Sequence, residues 1–295
     1  MSIRFDGRVA IVTGAGGGLG REHALALAAR GAKVVVNDLG GAVDGSGGSG
    51  SAAQKVVDEI KAAGGEAVAD AHSVSDFAGA QALVQRAVDT YGTVDIVINN
   101  AGILRDKSFI KMDMPDFDTV VDVHLLGSAY VTKAAWPILT AKNYGRIIMT
   151  TSTTGLFGNF GQANYGAAKL GLVGLMNTLK IEGQKFNIRV NSICPVAATR
   201  MTEGLMPAQI LEKLKPGLVT PAVMFLVSED APTGEIIEAG AGWYTRVQVY
   251  QGTGAILGDK TTPEDIAANW DKISDMSEAR AYATGSEAFA GALKG

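Results

Sequence analysis

Three side chains in the middle of the sequence have the types and spacing needed for proton transfer. Tyr165 and Lys169 are four residues apart, so on a helix their side chains would share one face, and Ser152 precedes the tyrosine. A free tyrosine has a pKa of about 10, and a nearby ammonium lowers that pKa by stabilising the phenolate. Such a tyrosine can take a proton from an alcohol while the serine bonds the same oxygen. A tyrosine and a lysine four residues apart on an exposed helix face are usually just solvated, so the surrounding elements must decide.

A glycine-rich turn near the start of the chain indicates a cofactor for this chemistry. Residues 8–13 are apolar and β-branched, as in a buried strand, and Gly14, Gly18 and Gly20 follow at once. A helix over about 21–30 and a strand over 33–37 complete a βαβ unit ending at Asp38. Glycines let backbone amides approach a pyrophosphate at a helix N-terminus, and an acid at this distance bonds the adenosine ribose. The unit predicts dinucleotide binding.

The composition excludes several other classes of protein. The chain has 295 residues, 47% of them hydrophobic, with 38 glycines and a net charge of -4. Such a chain can form a large α/β core, and its charge gives no global attraction to nucleic acid or an anionic membrane. No apolar run approaches the roughly 18 residues that a membrane span needs. The single Cys194 fits a reducing compartment, so we expect a cytoplasmic protein, and the three scattered histidines predict no metal site.

The rest of the chain alternates strands with helices, which predicts a doubly wound α/β fold with a parallel sheet of about seven strands. Residues 40–51 are rich in glycine and serine and predict a flexible connector. Ser152 would stand at the carboxyl end of a strand, where ligands bind in such sheets. Residues 1–240 are expected to form the catalytic domain and 241–295 an extension packed on it. The predicted helices cover 51–63, 76–91, 116–142 (bent near Pro137), 164–183, 203–214 (a lid), 221–227 and 263–273, and the further strands cover 66–69, 94–98, 146–151 and 188–193.

The motifs together resemble those of the short-chain dehydrogenase/reductase family. They are Thr13-Gly14-x-x-x-Gly18-x-Gly20, the run Asn-Asn-Ala-Gly over 99–102, Ser152 and Tyr165-x-x-x-Lys169. The resemblance spans most of residues 5–240 and implies alcohol oxidation by a nicotinamide cofactor. Tyr165 would act as general base, Ser152 would hold the reacting oxygen, and Lys169 would tune the tyrosine and bond the nicotinamide ribose. The other cofactor-binding positions that the resemblance implies are Gly14, Gly18, Leu19, Gly20, Asp38, Ser73, Val74, Asn100, Ala101, Gly102, Pro195, Val196 and Thr199.

Within the family, local runs resemble the (3R)-hydroxyacyl-CoA dehydrogenase unit of peroxisomal multifunctional enzymes of type 2. The matching runs include residues 37–41, 100–106, 143–150, 158–165 and 240–243. The resemblance implies oxidation of a (3R)-hydroxyacyl-CoA to the 3-ketoacyl-CoA. Coenzyme A is anionic and this chain is acidic, so its binding would need local cations, for which Arg105, Lys107, Lys111 and Arg200 are candidates.

Three positions depart from the usual patterns. His124 stands where many family members carry an asparagine that relays protons to the lysine, and a packed histidine is the favoured interpretation. His72 replaces an aspartate of the closer relatives near the adenine, and Val196 replaces a glycine after Pro195. These departures leave the proton relay and two cofactor contacts open.

Several alternatives remain at this point. The chain could be a dehydrogenase of a steroid or other bulky alcohol, an NADPH-dependent ketoacyl reductase, or a regulatory protein that binds a cofactor without chemistry. Asp38 would repel a 2′-phosphate and has no neighbouring cation in sequence, so NAD is the expected cofactor. A homodimer or homotetramer is expected, paired through the helices near 116 and 164, as the resemblance implies.

Overall fold

One eight-stranded sheet forms the centre of the fold. The computed structural model describes residues 2–48, 50–198 and 212–290. The strand order is β3-β2-β1-β4-β5-β6-β7-β8, and the pairings from β3 to β7 are all parallel. The doubly wound parallel fold predicted from the sequence is therefore confirmed. The strands are β1 (Val9–Thr13), β2 (Lys33–Asn37), β3 (Glu66–Asp70), β4 (Ile96–Asn99), β5 (Gly145–Thr150), β6 (Ile188–Pro195), β7 (Ile236–Gly240) and β8 (Trp243–Val247).

Helices connect the parallel strands and cover the sheet. Within the described ranges, no helix is both long and apolar enough to cross a bilayer. The helices are α1 (Gly18–Ala29), α2 (Ser51–Ala62), α3 (Phe77–Tyr91), α4 (Met114–Val121), α5 (Gly127–Lys142), α6 (Thr153–Phe157), α7 (Ala163–Gly183), α8 (Thr220–Leu226), α9 (Pro263–Ala268), α10 (Trp270–Ile273) and α11 (Gly285–Ala290).

The sheet order fixes where a ligand can bind. Strands β1, β4 and β5 are buried along their whole length, as expected for parallel strands covered on both faces. The chain winds outward from β1 to β3 and then returns to place β4 on the other side of β1. The helices that follow β1 and β4 lie on opposite faces of the sheet, so a crevice opens between them at the carboxyl ends of these two strands.

The segment between 114 and 142 is helical throughout but not uniform. Residues Asp122–Leu126 form a π-helical segment between α4 and α5. The sequence suggested a bend near Pro137, yet α5 continues through that proline. A separate irregularity lies around His124, and π-helical segments of this kind are frequent at functional sites.

A β-hairpin ends the sheet and was missed from the sequence. Ala241 and Gly242 connect β7 to β8 with φ angles of 51° and 80°. Two residues with positive φ form the tight turn that joins antiparallel strands. The sheet therefore has one strand more than the seven expected. The predicted lid helix over 203–214 lies outside the described residues, except for 212–214, which are not helical.

Contacts within the chain divide it into two compact units, with the boundary between Arg246 and Val247. In the second unit, Thr262 caps α9 through a reciprocal capping box with Asp265. The helix expected over 263–273 is broken into α9 and α10 at Asn269. The expected packing of this extension on the catalytic domain stays a prediction.

Gly20 provides a test of how the first turn of α1 is packed. A Cβ at Gly20 would lie 2.6 Å from Asn100 Nδ2 and closer still to the Gly14 carbonyl oxygen, whereas a Cβ at Gly17 would meet nothing within 4 Å. We expect Gly20→Ala to lower the free energy of unfolding by about 1–3 kcal/mol, as overpacking does. Gly17→Ala is the matched control and should leave stability nearly unchanged. Equal urea midpoints for the two variants would contradict this packing.

Candidate active site

A cleft of about 520 Å³ opens at the reversal point of the sheet. It gathers side chains and backbone from loops that are far apart in sequence, as an open α/β sheet requires. Gly20 does not line the cleft, because it packs behind the turn against Gly14 and Asn100. Thr199 lies outside the described residues. The other predicted site residues all line the cleft: Gly14, Gly18, Leu19, Asp38, Ser73, Val74, Asn100, Ala101, Gly102, Ser152, Tyr165, Lys169, Pro195 and Val196.

Hydrogen bonds between the ends of β1 and β4 set the shape of the glycine turn. Thr13 Oγ1 accepts from the backbone amides of Asn100 and Ala101, both at 3.0 Å. In return, Asn100 Nδ2 donates to the carbonyl oxygens of Thr13 and Gly14, also at 3.0 Å. Gly14 has a φ of 61°, and a Cβ there would stand 2.7 Å from Ala101 Cα. Only glycine combines this left-handed backbone with so close an approach.

The N-terminus of α1 and Asp38 face the cleft from the two ends of the glycine turn. Helix α1 begins after Gly17 with no side-chain cap and no acid in its first turn, so its first amides are open to an anion. The Asp38 carboxylate accepts from Gly16 N at 2.8 Å and Gly40 N at 2.7 Å. These bonds fix the carboxylate while leaving lone pairs for ribose hydroxyls.

Beyond Asp38, the cleft is bounded by the segment that follows β3. His72 lines it, and its Nδ1 lies 2.8 Å from Asp70 Oδ2. The buried Asp70 also accepts from Asn37 Nδ2 at 2.7 Å, which joins the ends of β2 and β3. Ser73 and Val74 follow on the same wall. This end could hold a flat base between the histidine side and the apolar Val74.

Lys169 is held beneath the catalytic end of the cleft. Its side chain is 3% exposed, and Nζ donates to the Thr150 carbonyl oxygen at 2.6 Å. Burial lowers the pKa of Lys169 to about 7, since a buried ammonium loses its hydration. Nζ also lies 5.4 Å from the centre of the Tyr165 ring. The i, i+4 spacing on α7 thus places lysine and tyrosine side by side.

Tyr165 and Ser152 form the reactive end of the site. Ser152 is the N-cap of α6, with its Oγ accepting from Thr154 N at 3.2 Å, so its O–H proton stays available to another oxygen. Burial raises the pKa of Tyr165 to about 12, while a hydrogen bond from Ser152 acts in the lowering direction. The sequence predicted that Lys169 would lower this pKa. In the structure, the loss of hydration outweighs any such effect.

His124 packs against the catalytic tyrosine. It is 1% exposed, and its ring meets the Tyr165 ring edge-on with centroids 5.2 Å apart. Nε2 lies 3.0 Å from the Ile103 amide nitrogen and 2.8 Å from its carbonyl oxygen. Nδ1 has no hydrogen-bond partner among the described residues. Burial and the charge of Lys169 hold the pKa of His124 well below its usual value, so the ring is neutral.

A polar chain along the cleft was missed from the sequence. Gln162 Nε2 donates to Asp106 Oδ2 at 2.6 Å, and Gln162 Oε1 accepts from Thr154 Oγ1 at 2.8 Å and from Asn159 Nδ2 at 3.1 Å. Gln162, Asn159 and Thr154 line the cleft beside Ser152. Gln162 immediately precedes α7 as its N-cap and stands three residues before Tyr165, and this nearness to the tyrosine was a usable signal.

The cations expected to bind coenzyme A are mostly engaged elsewhere. Arg105 Nη1 pairs with Asp116 at 3.0 Å, and Lys107 pairs with Asp113 and Asp116 at 3.0 Å each. Arg200 lies outside the described residues. Lys111 has no ion pair in the described part of the chain. These ion pairs partly neutralise Arg105 and Lys107, and their binding of coenzyme A stays a prediction.

Comparison with known proteins agrees with the fold. The family model described as short chain dehydrogenase matches residues 8–209. The chain belongs to this family and is an oxidoreductase that acts on a small-molecule substrate.

Individual relatives narrow the comparison. Peroxisomal multifunctional enzyme type 2 of Drosophila melanogaster is 53% identical over 94% of this chain, and the match spans 47% of that relative. The chain thus spans about half of the relative's length. The full-length structure of that Drosophila enzyme superposes with a TM-score of 0.84 at 44% identity, over 99% of this chain and 50% of that chain.

A third comparison concerns the cofactor. A 7α-hydroxysteroid dehydrogenase complexed with NADH and 7-oxo glycochenodeoxycholic acid superposes with a TM-score of 0.73 at 30% identity, over 81% of this chain and 95% of that chain. With the family assignment, this indicates that the cofactor here is a nicotinamide dinucleotide.

The lowered pKa of Lys169 should make the free energy of unfolding depend on pH. The pKa of Lys169 falls from 10.5 to about 7 on folding. Between those values the unfolded chain binds the proton and the native chain does not, so the lysine makes stability rise with pH by about 1.4 kcal/mol per unit. Urea unfolding of the cofactor-free protein at pH 7–10 should therefore show the stability of Lys169→Met falling steadily relative to wild type. A pH-independent difference would contradict the lowered pKa.

Proposed function

We propose that this protein oxidises a (3R)-hydroxyacyl-CoA to the 3-ketoacyl-CoA with NAD, using Tyr165 as general base. The observation that carries the proposal is the convergence of Ser152, Tyr165 and Lys169 at one end of a cleft whose other end is lined by Asp38. Intact proton-transfer groups beside a cofactor cleft argue against a protein that only binds the cofactor.

The cleft fits a nicotinamide dinucleotide along its length. The open amides at the start of α1 suit the pyrophosphate, and Asp38 suits the adenosine ribose hydroxyls. Lys169 and Tyr165 would hold the nicotinamide ribose, with Pro195 and Val196 beside the carboxamide. The cofactor, when bound, supplies the hydride acceptor. Asn100 Nδ2 donates both of its hydrogens to carbonyl oxygens of the glycine turn, so the role of Asn100 is to hold the shape of that turn.

The protein's own groups then handle the proton. Tyr165, as the phenolate, accepts the proton of the substrate hydroxyl, and Ser152 donates a hydrogen bond to the same oxygen as it becomes a carbonyl. Because burial holds the pKa of Tyr165 at about 12 in the free protein, the phenolate needs nearby positive charge. Lys169, in its ammonium form, is the group placed to supply it at 5.4 Å from the ring.

The substrate assignment has separate support. The relative of Drosophila melanogaster named above is a multifunctional enzyme whose match extends over 94% of this chain, beyond the catalytic motifs. Engagement of Arg105 and Lys107 by acids weakens coenzyme A recognition by these cations. A steroid or another bulky alcohol is the second candidate, favoured by the hydroxysteroid dehydrogenase neighbour.

Two further assignments stay predictions. A homodimer or homotetramer is supported by exposed apolar side chains on α7, where Leu170 is 50% and Ile181 46% exposed. For the compartment, the single Cys194 favours reducing conditions, whereas the Drosophila relative is peroxisomal by name.

Cofactor choice is the first test of the proposed function. In the described lining of the cleft, Lys169 is the only lysine or arginine, so no cation there offsets a 2′-phosphate beside Asp38. We expect kcat/KM with NAD to exceed that with NADP by on the order of a hundredfold. Asp38→Ser should narrow the gap, mainly through KM. Equal efficiency with both cofactors in the wild type would disprove the preference.

Substrate class is the second test. NADH formation should be measured with (3R)- and (3S)-3-hydroxybutyryl-CoA, the free 3R acid, a longer 3R thioester and a steroid alcohol. We expect turnover of the 3R thioesters, with the free acid and the 3S thioester at least tenfold less efficient. Turnover of the steroid alone would assign the second candidate instead.

The Tyr165→Phe variant tests the general base. It should lower kcat by about 10²–10⁴-fold while still binding NAD, because the Tyr165 hydroxyl acts on the substrate.

A further inference from the structure

Residues 39–48, here called the glycine-rich loop, are folded on themselves. The sequence predicted a flexible connector. In the structure, Ala42 N donates to Ser46 O at 2.8 Å and Gly45 N to Ala42 O at 3.0 Å. The Asp44 carboxylate accepts from the amide and the hydroxyl of Ser46 at 2.9 and 2.7 Å. A surface loop held by its own bonds has a defined shape and is often functional.

The glycine-rich loop crosses the cofactor cleft. It begins after Asp38 at the end of β2 and reaches the segment that follows β4, and β1 lies between these strands. Leu104 N donates to Val43 O at 3.0 Å. Ile103 methyl carbons lie 3.3 Å from the position of a Cβ at Gly45. The loop therefore passes over the end of β1, where the glycine turn begins, and lines the same cleft.

Arg105 ties the loop to the catalytic end of the site. Its Nε donates to Asp44 O at 3.0 Å, while Nη1 donates to Asp116 Oδ1 at 3.0 Å and to Thr119 Oγ1 at 3.3 Å on α4. The Arg105 carbonyl oxygen accepts from Asn164 Nδ2 at 3.1 Å, next to Tyr165. A guanidinium has separate donors in a fixed plane, so one side chain holds the loop and α4 together.

We infer that the glycine-rich loop is a clasp over the bound nicotinamide cofactor and that Arg105 is the positioning residue that keeps the clasp closed. The inference rests on the cofactor assignment proposed above. Release of the dinucleotide past the loop requires the Leu104–Val43 and Arg105–Asp44 hydrogen bonds to break. Loop opening therefore contributes to the rate at which the cofactor leaves, a step that often limits turnover in enzymes with such covers.

Two neighbouring substitutions separate the clasp from a general charge effect. Arg105→Met removes the bond to the loop. Lys107→Met is the matched control, because it removes a cation bound to the same Asp116 carboxylate, and in the described part of the chain its ammonium bonds only Asp113 and Asp116. The measurements are the NADH dissociation rate by stopped-flow fluorescence, hydrogen exchange of residues 39–48 and 104, and KM for NAD against kcat.

We expect Arg105→Met to release NADH about tenfold faster, which corresponds to about 1.4 kcal/mol, the size of one hydrogen bond to a charged group. Exchange of the loop amides and of Leu104 should accelerate, and KM for NAD should rise while kcat stays level or increases. Lys107→Met should stay within twofold of wild type in all three measurements.

The outcomes also distinguish this inference from the proposed function. If NADH binds wild type and Arg105→Met releases it at the wild-type rate, the clasp is wrong although the cofactor is right. Equal acceleration by Lys107→Met would overturn the role of Arg105. If NADH does not bind wild type at all, the cofactor assignment fails, and the clasp fails with it.

Discussion

The cleft depends on the junction between the ends of β1 and β4. Thr13 Oγ1 accepts two backbone amides, and Asn100 Nδ2 returns two bonds to the carbonyls of Thr13 and Gly14. These four bonds satisfy partly buried backbone groups at the point where the two strands part. They also hold Gly14, the first residue of the glycine turn, in its left-handed conformation. The first amides of α1 then point into the cleft. Gly20 closes the junction from behind, which explains why it packs there and does not line the cleft.

The catalytic end is arranged at a cost in stability. Lys169 is buried where its charge is poorly solvated, and burial raises the pKa of Tyr165 as well. The Thr150 carbonyl at the end of β5 accepts a hydrogen bond from Lys169 and so offsets part of the cost of burying it. Polar groups poised in this way are typical of active sites, in which function outweighs local stability. His124 completes the packing from the π-helical segment, edge-on to the tyrosine ring.

Much of the fold and site could be predicted from sequence because the signals are local. The βαβ unit and the Tyr165–Lys169 spacing each depend on a few adjacent residues. The features that were missed depend on tertiary contacts. The loop over 39–48 looks like a linker until Leu104 and Arg105 bind it. The raised pKa of Tyr165 needs a burial that no spacing reveals, and the β7–β8 hairpin turns on Ala241, a residue unusual at positive φ.

Transfer of deuterium is the most direct measurement of whether this cleft performs the proposed chemistry. The substrate would be (3R)-3-hydroxybutyryl-CoA carrying deuterium at C3, mixed with NAD and the wild-type protein in single-turnover experiments. We predict that deuterium appears at C4 of the reduced nicotinamide and that NADH forms two- to several-fold more slowly than from the unlabelled thioester. Formation of NADH without deuterium, or no NADH from either substrate, would contradict hydride transfer from a (3R)-hydroxyacyl-CoA.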